Sequence, residues 1–268
     1  MNGALENHRK AALHVAIVIA CVVAAGVLAF RFGNHFFVWL RMDKSLKAVP
    51  RVDVETLEKA GLDDVRFREH KIDGFVLHVP ADAEEFKRDV DVDDEEDVEE
   101  DCDGDDYGDE YDDDDSTVAW FSVPSLKARL VIAVEKLQMD NRASFRHFMN
   151  VTIQGEEGLA EFQARSFATS SADFRWSDTP SQVMDFSARC KFRELMPNTK
   201  QYFFERVNGV DVLIVTDSPT EFAMMVERRS HLAYYVTLGL EEESADGVYH
   251  SFAFLRRMAS FYANPPEL

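Results

Sequence analysis

Hydrophobic residues predominate near the start of the chain in a run from Ala11 to Phe30 without a single Asp, Glu, Lys or Arg, in which His14 is the one ionisable side chain apart from Cys21. As a helix with a rise of about 1.5 Å per residue, this run extends about 30 Å, the thickness of the hydrocarbon core of a bilayer. An aromatic stretch at residues 36–40 follows, and aromatic side chains favour the headgroup layer. The pattern predicts a transmembrane helix at residues 11–31, after a short head at residues 1–10.

Three other interpretations of this run fit less well. The buried helix of a soluble domain rarely lacks polar residues over such a length. A cleaved signal peptide usually has a shorter apolar region, of about 7–15 residues. Residues 18–21 look like the cleavage site of a bacterial lipoprotein, but the residues after Cys21 are apolar, whereas a polar linker usually follows a lipidated cysteine. We therefore adopt an uncleaved anchor.

Beyond the run, the period of the apolar positions changes. Residues 32–61 are mixed and charged, with one short helical pattern, and we interpret them as a juxtamembrane spacer. From residue 65 onward, alternation with a period of two predicts strands, and Asp73-Gly74 and Asn208-Gly209 are typical of tight hairpin turns. The predicted strands lie at residues 66–68, 75–79, 118–123, 129–134, 188–193, 202–207, 210–216, 222–227 and 232–238.

Helical patterns occur between and after these strands. Short helices are predicted at residues 140–152 and 156–163, and an apolar face with spacings of three and four predicts a longer helix after residue 244. The segment 222–227 also contains helix-favouring residues, so a helix is the alternative there. Residues 62–268 are thus expected to form an α+β domain, an antiparallel β-sheet flanked by helices, preceded by one transmembrane helix.

The net charge of −21 comes from one segment. Of the 50 acidic residues, 19 lie within residues 89–115, which contain no Lys or Arg, so the rest of the chain is close to neutral. Like charges at this density predict a disordered acidic insert, placed at residues 82–116. Nucleic acid is not an expected partner, because a nucleic-acid-binding protein needs clustered positive charge and the chain has no long basic block.

The acidic insert also contains the weak candidates for a metal site, Asp101, Asp103, Asp105 and Asp109. Carboxylates are oxygen ligands of the kind that Ca²⁺ prefers, but the order of residues departs from that of an EF-hand loop because Gly104 comes too early. Weak, possible calcium binding is the only cofactor expectation. A separate hypothesis folds the insert back onto a basic strand face.

That basic face is formed by Arg189, Lys191 and Arg193 in the strand predicted at residues 188–193. On the other face of the same strand, Cys190 is expected to point into the core. A bridge between Cys102 and Cys190 would require an oxidising compartment.

Signatures of catalysis are missing from the sequence. It contains no GxSxG, SxxK, HExxH, HxxxH or CxxC motif and no glycine-rich phosphate loop. His78 and His231 are expected to be ordinary strand histidines. Phe174, Trp176 and Phe186 are expected to pack in the core or anchor a loop, with a pocket lining as the alternative. The chain is accordingly not expected to be an enzyme.

The carboxyl-terminal two thirds of the chain resemble the PsbP-like and DcrB-like group of exported α/β domains. The resemblance is carried by DGFVLHVP at residues 73–80, by the apolar strand and helical pattern at residues 130–149, and by LAYYVTLGLEEE at residues 232–243 with the helix that follows. It implies an α/β/α sandwich, an accessory or binding role at a membrane without shared catalytic residues, and an exported location.

Together these observations predict a single-pass protein of the plasma or inner membrane, bound to the membrane through residues 11–31. Its carboxyl-terminal domain is expected to be a non-catalytic accessory or protein-interaction domain with a protein partner still to be identified. The alternative is a protein that responds to calcium through the acidic insert, and an enzyme with a site assembled from distant residues ranks third. Positive charges beside the span slightly favour a cytoplasmic domain, whereas the resemblance implies an extracytoplasmic one, which we adopt.

Overall fold

The computed structural model describes residues 2–60, 65–86, 116–136, 158–228, 232–242 and 247–263, with the backbone alone at residues 2–16, 30, 31, 116, 136 and 228. The helices in these ranges are α1 (Asn2–Arg41), α2 (Val54–Lys59), α3 (Leu159–Ala168), α4 (Pro180–Leu195) and α5 (Gly247–Ala263). The strands are β1 (Phe67–Ile72), β2 (Phe75–Pro80), β3 (Glu84–Glu85), β4 (Ser116–Val123), β5 (Ala128–Lys136), β6 (Gln201–Val207), β7 (Val210–Ser218), β8 (Glu221–Arg228) and β9 (Leu232–Leu240).

Seven of these strands form one antiparallel sheet in the order β3-β4-β5-β9-β8-β7-β6, and β1 pairs with β2 in a separate hairpin. Both predicted hairpin turns are confirmed. Asp73 and Gly74 have φ angles of 47° and 82°, and Asn208 and Gly209 have φ angles of 52° and 79°, which are the left-handed values that a tight two-residue turn requires. The segment at residues 222–227 is a strand, so its helical alternative is wrong.

One face of the sheet packs against α5, α2 and the β1–β2 hairpin. Alternate residues of the central strands are buried there, among them Phe121, Ile132 and Val236. The predicted apolar stripe of the last helix is confirmed in α5, where Phe252 and Leu255 lose all contact with solvent. Burying one large apolar side chain stabilises the fold by roughly 1.5–3 kcal/mol, so this face supplies much of the driving force for folding.

The opposite face packs against α3, which is covered in turn by α4. Phe162 and Phe167 of α3 and Phe192 of α4 form edge-to-face ring pairs with centroids 5.7–6.0 Å apart. They lie over Leu213 and Met225 of the sheet. Helices therefore cover both faces, which confirms the expected α+β domain with an antiparallel sheet between helices.

The strand predicted at residues 188–193 is wrong, because these residues belong to α4. Thr179 and Gln182 form a capping box at the start of this helix, and Pro180 occupies its first turn, where proline is well tolerated. The apparent period of two arises because α4 buries two faces, with Ala188 and Phe192 against α3 and Cys190 against α1. A helix with two buried faces has apolar residues at spacings that also fit a strand.

Other predictions fall partly or wholly outside the described residues. The helix expected at residues 156–163 is observed as α3, whereas the helix expected at residues 140–152 lies outside the described ranges. At the start of the predicted acidic insert, residues 82–86 belong to the fold, since β3 pairs with β4. The rest of the insert, residues 87–115, lies outside the described part of the chain.

Candidate functional site

The apolar run of α1 has exposed side chains all around the helix. From Ile17 to Leu28, the large hydrophobic residues are 52–66% exposed. A helix that is apolar on every side is buried in a large core or in a lipid bilayer. By length and composition, no single helix among the described residues meets the criteria for a membrane span. Residues 17–29 and 32–41 meet them only as a pair bent by 43°.

Immediately after this run, α1 meets the domain in a cluster of rings that we call the aromatic collar: Phe32, His35, Phe36, Trp39, Phe174 and Trp176. The rings of His35 and Trp176 are stacked with centroids 6.1 Å apart, and those of Trp39 and Trp176 are 6.2 Å apart. Phe174 meets Trp176 edge to face at 5.4 Å. Trp176 is far away in the sequence, so the collar joins α1 to a loop of the folded domain.

His35 is the buried centre of the collar, with 1% of its surface exposed. Its Nε2–H donates a hydrogen bond to the main-chain carbonyl of Asp178, at 2.8 Å. In the neutral ring, the proton therefore lies on Nε2, and Nδ1 has no hydrogen-bond partner among the residues that the structure describes. A ring that is buried and bonded in this way fixes the rotation of α1 relative to the loop at residues 174–178.

Below the collar, α1 packs against α4 through a small apolar cluster. Val38 of α1 contacts Val183, Phe186 and Cys190 of α4, all of them buried. Burial raises the pKa of the Cys190 thiol to about 12, so it stays protonated and unreactive near neutral pH. Cys190 is a core residue, as expected, although it lies on a helix. The proposed partner Cys102 lies outside the described residues, so the bridge stays a prediction.

The segment after α1, within the predicted spacer, is bonded to the domain along its length. The Val49 N–H donates to the Phe167 carbonyl at 2.8 Å, and the Ser171 N–H donates to the Leu46 carbonyl at 2.9 Å. Further on, the Val52 N–H donates to the Tyr202 carbonyl of β6 at 2.8 Å. The path from the apolar run to the sheet is therefore a sequence of fixed contacts.

Cationic side chains lie beside the exposed rings of this region. The Arg41 guanidinium lies 4.2 Å from the centroid of Phe37, and the Lys44 ammonium lies 4.1 Å from the centroid of Trp39. Lys44 also donates to the main-chain carbonyl of Trp39. Long basic side chains beside aromatic rings are typical of the water–lipid boundary, where the stem is apolar and the charged end reaches the phosphates.

A polar cluster joins the start of α3 to the sheet. Arg206 donates to both carboxylate oxygens of Asp211, at 2.5 and 3.0 Å, and to Glu161 at 2.6 Å. Glu227 accepts from the N–H of Ala160 in the first turn of α3, where a negative charge is favourable. Asp211 and Glu227 are 5% and 3% exposed. These bonds attach α3 to the sheet, which is a structural role.

The pKa values of Arg206 in this cluster and of Tyr235 beside it are both raised. The bonds to Asp211 and then to Glu161 raise the pKa of the Arg206 guanidinium, so it stays charged. Burial, aided by the charges of Glu135 and Glu227, raises the pKa of the Tyr235 hydroxyl, so it stays neutral.

The candidate metal ligands cannot be placed in this geometry. Asp101, Asp103, Asp105 and Asp109 lie outside the described residues, and within the described ranges no group of three or more His, Cys, Asp or Glu side chains is arranged to hold a metal ion. His231 also lies outside them.

His78 lies in β2, as expected for a strand histidine, and stacks on the ring of Phe261 at 4.8 Å. Burial lowers its pKa, with an opposing contribution from Glu69.

The predicted basic surface is not a strand face. Arg189 is paired with Asp185 and donates to the Thr169 hydroxyl, and Arg193 is largely buried and donates to the Met196 carbonyl. Lys191 is exposed on α4. Two of the three cations are thus already engaged within the domain, which removes most of the basis for docking of the acidic segment there.

Sequence reasoning missed the collar as a unit. It recognised the aromatic stretch of α1 and the group of Phe174, Trp176 and Phe186 separately, but nothing in the sequence indicated that they meet. The pair of Arg206 and Asp211 could have been found, because the turn at residues 208–209 places these two residues opposite each other across a two-residue hairpin. No family model, curated protein or solved structure matches the chain.

Proposed function

We propose that α1 anchors the chain in a membrane by a single pass, and that the α+β domain works at that membrane surface as a non-catalytic accessory or protein-interaction domain. The observation that carries the proposal is the exposure of the apolar run: large hydrophobic side chains point outward in every direction, directly before the residues at which α1 is locked to the domain. Water is an unfavourable surrounding for such a surface, whereas lipid hydrocarbon is a favourable one.

The attachment of α1 supports a positioning role for this anchor. A flexible tether would let the domain sample many orientations, but here the collar and the backbone bonds of residues 46–52 hold it in one. A fixed orientation presents the same surface to any partner in the membrane plane, as an accessory domain needs. The resemblance to PsbP-like and DcrB-like domains agrees with such a role and with a location outside the cytoplasm of a plasma or inner membrane.

Extraction of membranes with alkaline carbonate tests the anchor. The unmodified chain is expected in the pellet. A variant with Val22→Arg and Val27→Arg is expected in the supernatant, because each Arg at the centre of a spanning helix disfavours insertion by roughly 2.5–3.5 kcal/mol. Val118→Arg, at an exposed position of β4, is the matched control and is expected to stay in the pellet. An unmodified chain that is soluble without detergent, or a double variant that still pellets, would contradict the anchor.

Two further measurements address the remaining parts of the proposal. Protease added to sealed inverted vesicles is expected to leave the domain intact, since an extracytoplasmic domain lies inside them. Digestion of the domain would show that it faces the cytoplasm instead.

Chemical cross-linking in intact membranes is expected to yield a stoichiometric adduct with a second protein. A chain that forms no adduct, or only adducts with itself, would contradict the interaction role.

A further inference from the structure

Several rings of the collar and its neighbour Phe37 are exposed. Phe36 and Phe37 are more than half exposed, and Trp176 is 48% exposed although it belongs to the folded domain rather than to α1. Trp39 is partly exposed beside it. Aromatic side chains with an apolar body and a polar edge are favoured at the level of lipid headgroups, and tryptophan most of all.

The distance along α1 places these rings at that level. If residues 11–30 fill the hydrocarbon core, His35 lies about 8 Å and Trp39 about 14 Å farther along the helix, at about 1.5 Å per residue. The bend of 43° between the two halves of α1 reduces the height of Trp39 above the hydrocarbon further. The headgroup layer is roughly 5–8 Å thick on each side, so His35, at about 5–6 Å with the bend, lies within it and Trp39, at about 10 Å, lies just beyond its outer border.

Trp176 has to share this height, because its ring is stacked on that of His35 and contacts that of Trp39 at a tilt of 44°. The loop at residues 174–178 is therefore held at the border of the headgroup layer by contacts with a helix that enters the bilayer. Around it, Arg41 and Lys44 are exposed and extend beside the rings, and Arg175 of the loop is exposed as well, so that their charged ends can pair with lipid phosphates.

From this geometry we propose that the aromatic collar is a membrane-contact surface, in which the loop at residues 174–178 inserts Trp176 among the lipid headgroups and seats the domain directly on the bilayer. The occupant of the surface is the lipid of the membrane that holds α1, since the surface continues the apolar face of that helix. This inference rests on the proposed anchor, and it adds that the domain itself contacts lipid.

The collar and the acidic segment connect to opposite edges of the sheet. The chain that leaves the collar reaches the sheet at β6, whereas the acidic segment joins the described residues at Phe86 and Ser116, beside β3 and β4. Six strand spacings of about 4.8 Å separate these two edges, which is roughly 29 Å.

The three tryptophans provide the test, because Trp39, Trp120 and Trp176 lie on α1, on β4 and in the inserted loop. Three full-length variants, each with a single tryptophan and phenylalanine at the other two positions, are placed in phosphatidylcholine vesicles that carry a nitroxide quencher on the headgroup. The Trp176 variant is expected to lose more than half of its emission, as is the Trp39 variant. The Trp120 variant is expected to lose little, because its strand lies near the opposite edge of the sheet.

The outcomes separate the two proposals. Quenching of Trp39 without quenching of Trp176 overturns the membrane-contact surface and leaves the anchor intact. Quenching of none of the three overturns the anchor as well. Equal quenching of Trp120 and Trp176 also overturns the surface, because the domain then has no preferred side. Thermal melting of each variant establishes that the domain is folded.

Discussion

The two edges of the seven-stranded sheet are protected in different ways. At the β6 edge, the chain at residues 50–52 adds a short parallel bridge to Tyr202, and Arg51 donates to the carbonyl of Phe204 at 2.6 Å. At the other edge, β3 pairs with β4 over only two residues. An open edge invites pairing with other chains, and a short charged strand or a covering segment both prevent it. The edge covered by a segment is therefore that of β6, which is also the edge connected to α1.

The charges at these edges also differ in kind. Beside β6, the pair of Arg206 and Asp211 joins a guanidinium to a buried carboxylate. Beside β3, His70 lies 3.2 Å from Glu85, which is exposed. The β6 edge is therefore held by a guanidinium that stays charged at ordinary pH values, whereas the β3 edge, which leads into the acidic segment, is held by a contact to a solvent-exposed carboxylate.

The largest effect is expected from Arg206→Met. This change leaves the buried carboxylate of Asp211 without its partner, so the free energy of unfolding should fall by about 2–4 kcal/mol, less than for a fully buried pair because Arg206 is itself partly exposed. Glu85→Gln, the matched change at the β3 edge, should reduce it by less than about 1 kcal/mol. Urea unfolding of both variants measures the difference, and equal losses would show that the two edges do not differ in how strongly these charges hold them.

A smaller effect is expected from the arginines that bond to main-chain carbonyls at each edge. Arg51→Ala removes the bond to Phe204, and Arg68→Ala removes a bond of 2.7 Å to the carbonyl of Ala83. Each should reduce the free energy of unfolding by about 0.5–1.5 kcal/mol. Hydrogen exchange distinguishes the two edges, since Arg51→Ala should accelerate exchange at the Tyr202 amide alone and Arg68→Ala at the Phe86 amide alone. Faster exchange at both amides in one variant would show that the edges are coupled.

The smallest effect is expected in the pH dependence of stability, through His78 of β2. Burial lowers the pKa of His78 below its ordinary value of 6.5, so the unfolded chain binds a proton more readily than the folded one. Stability should therefore fall as the pH drops below about 6.5. His78→Phe keeps a ring against Phe261 but cannot bind the proton, so its melting temperature should drop less between pH 7 and pH 5. An unchanged drop would exclude His78 as a source of the acid sensitivity.

Much of the sheet could be predicted, because its signals are local. The turns at Asp73-Gly74 and Asn208-Gly209 need left-handed backbone, which these residues adopt at little cost, and the flanking alternation then sets the pairing. The stripe of α5 was equally clear, because a helix lying flat on a sheet buries a single face. Helix α4 was predicted wrongly as a strand, because its two partners, α1 and α3, bury two of its faces, and no short window of sequence contains that information.

Features that depend on neighbours along the chain could be read from the local sequence: the hairpins, the amphipathic last helix, the uncharged run of α1 and the concentration of acid between β3 and β4. Contacts between distant segments arise only in the packed fold. His35 and Trp176 belong to segments far apart in the sequence, yet they stack because α1 packs on α4. Turns and periodicity depend on a few adjacent residues, so they could be predicted from the sequence. Side-chain burial and ring contacts depend on the whole packed arrangement, so they became apparent only in the structure.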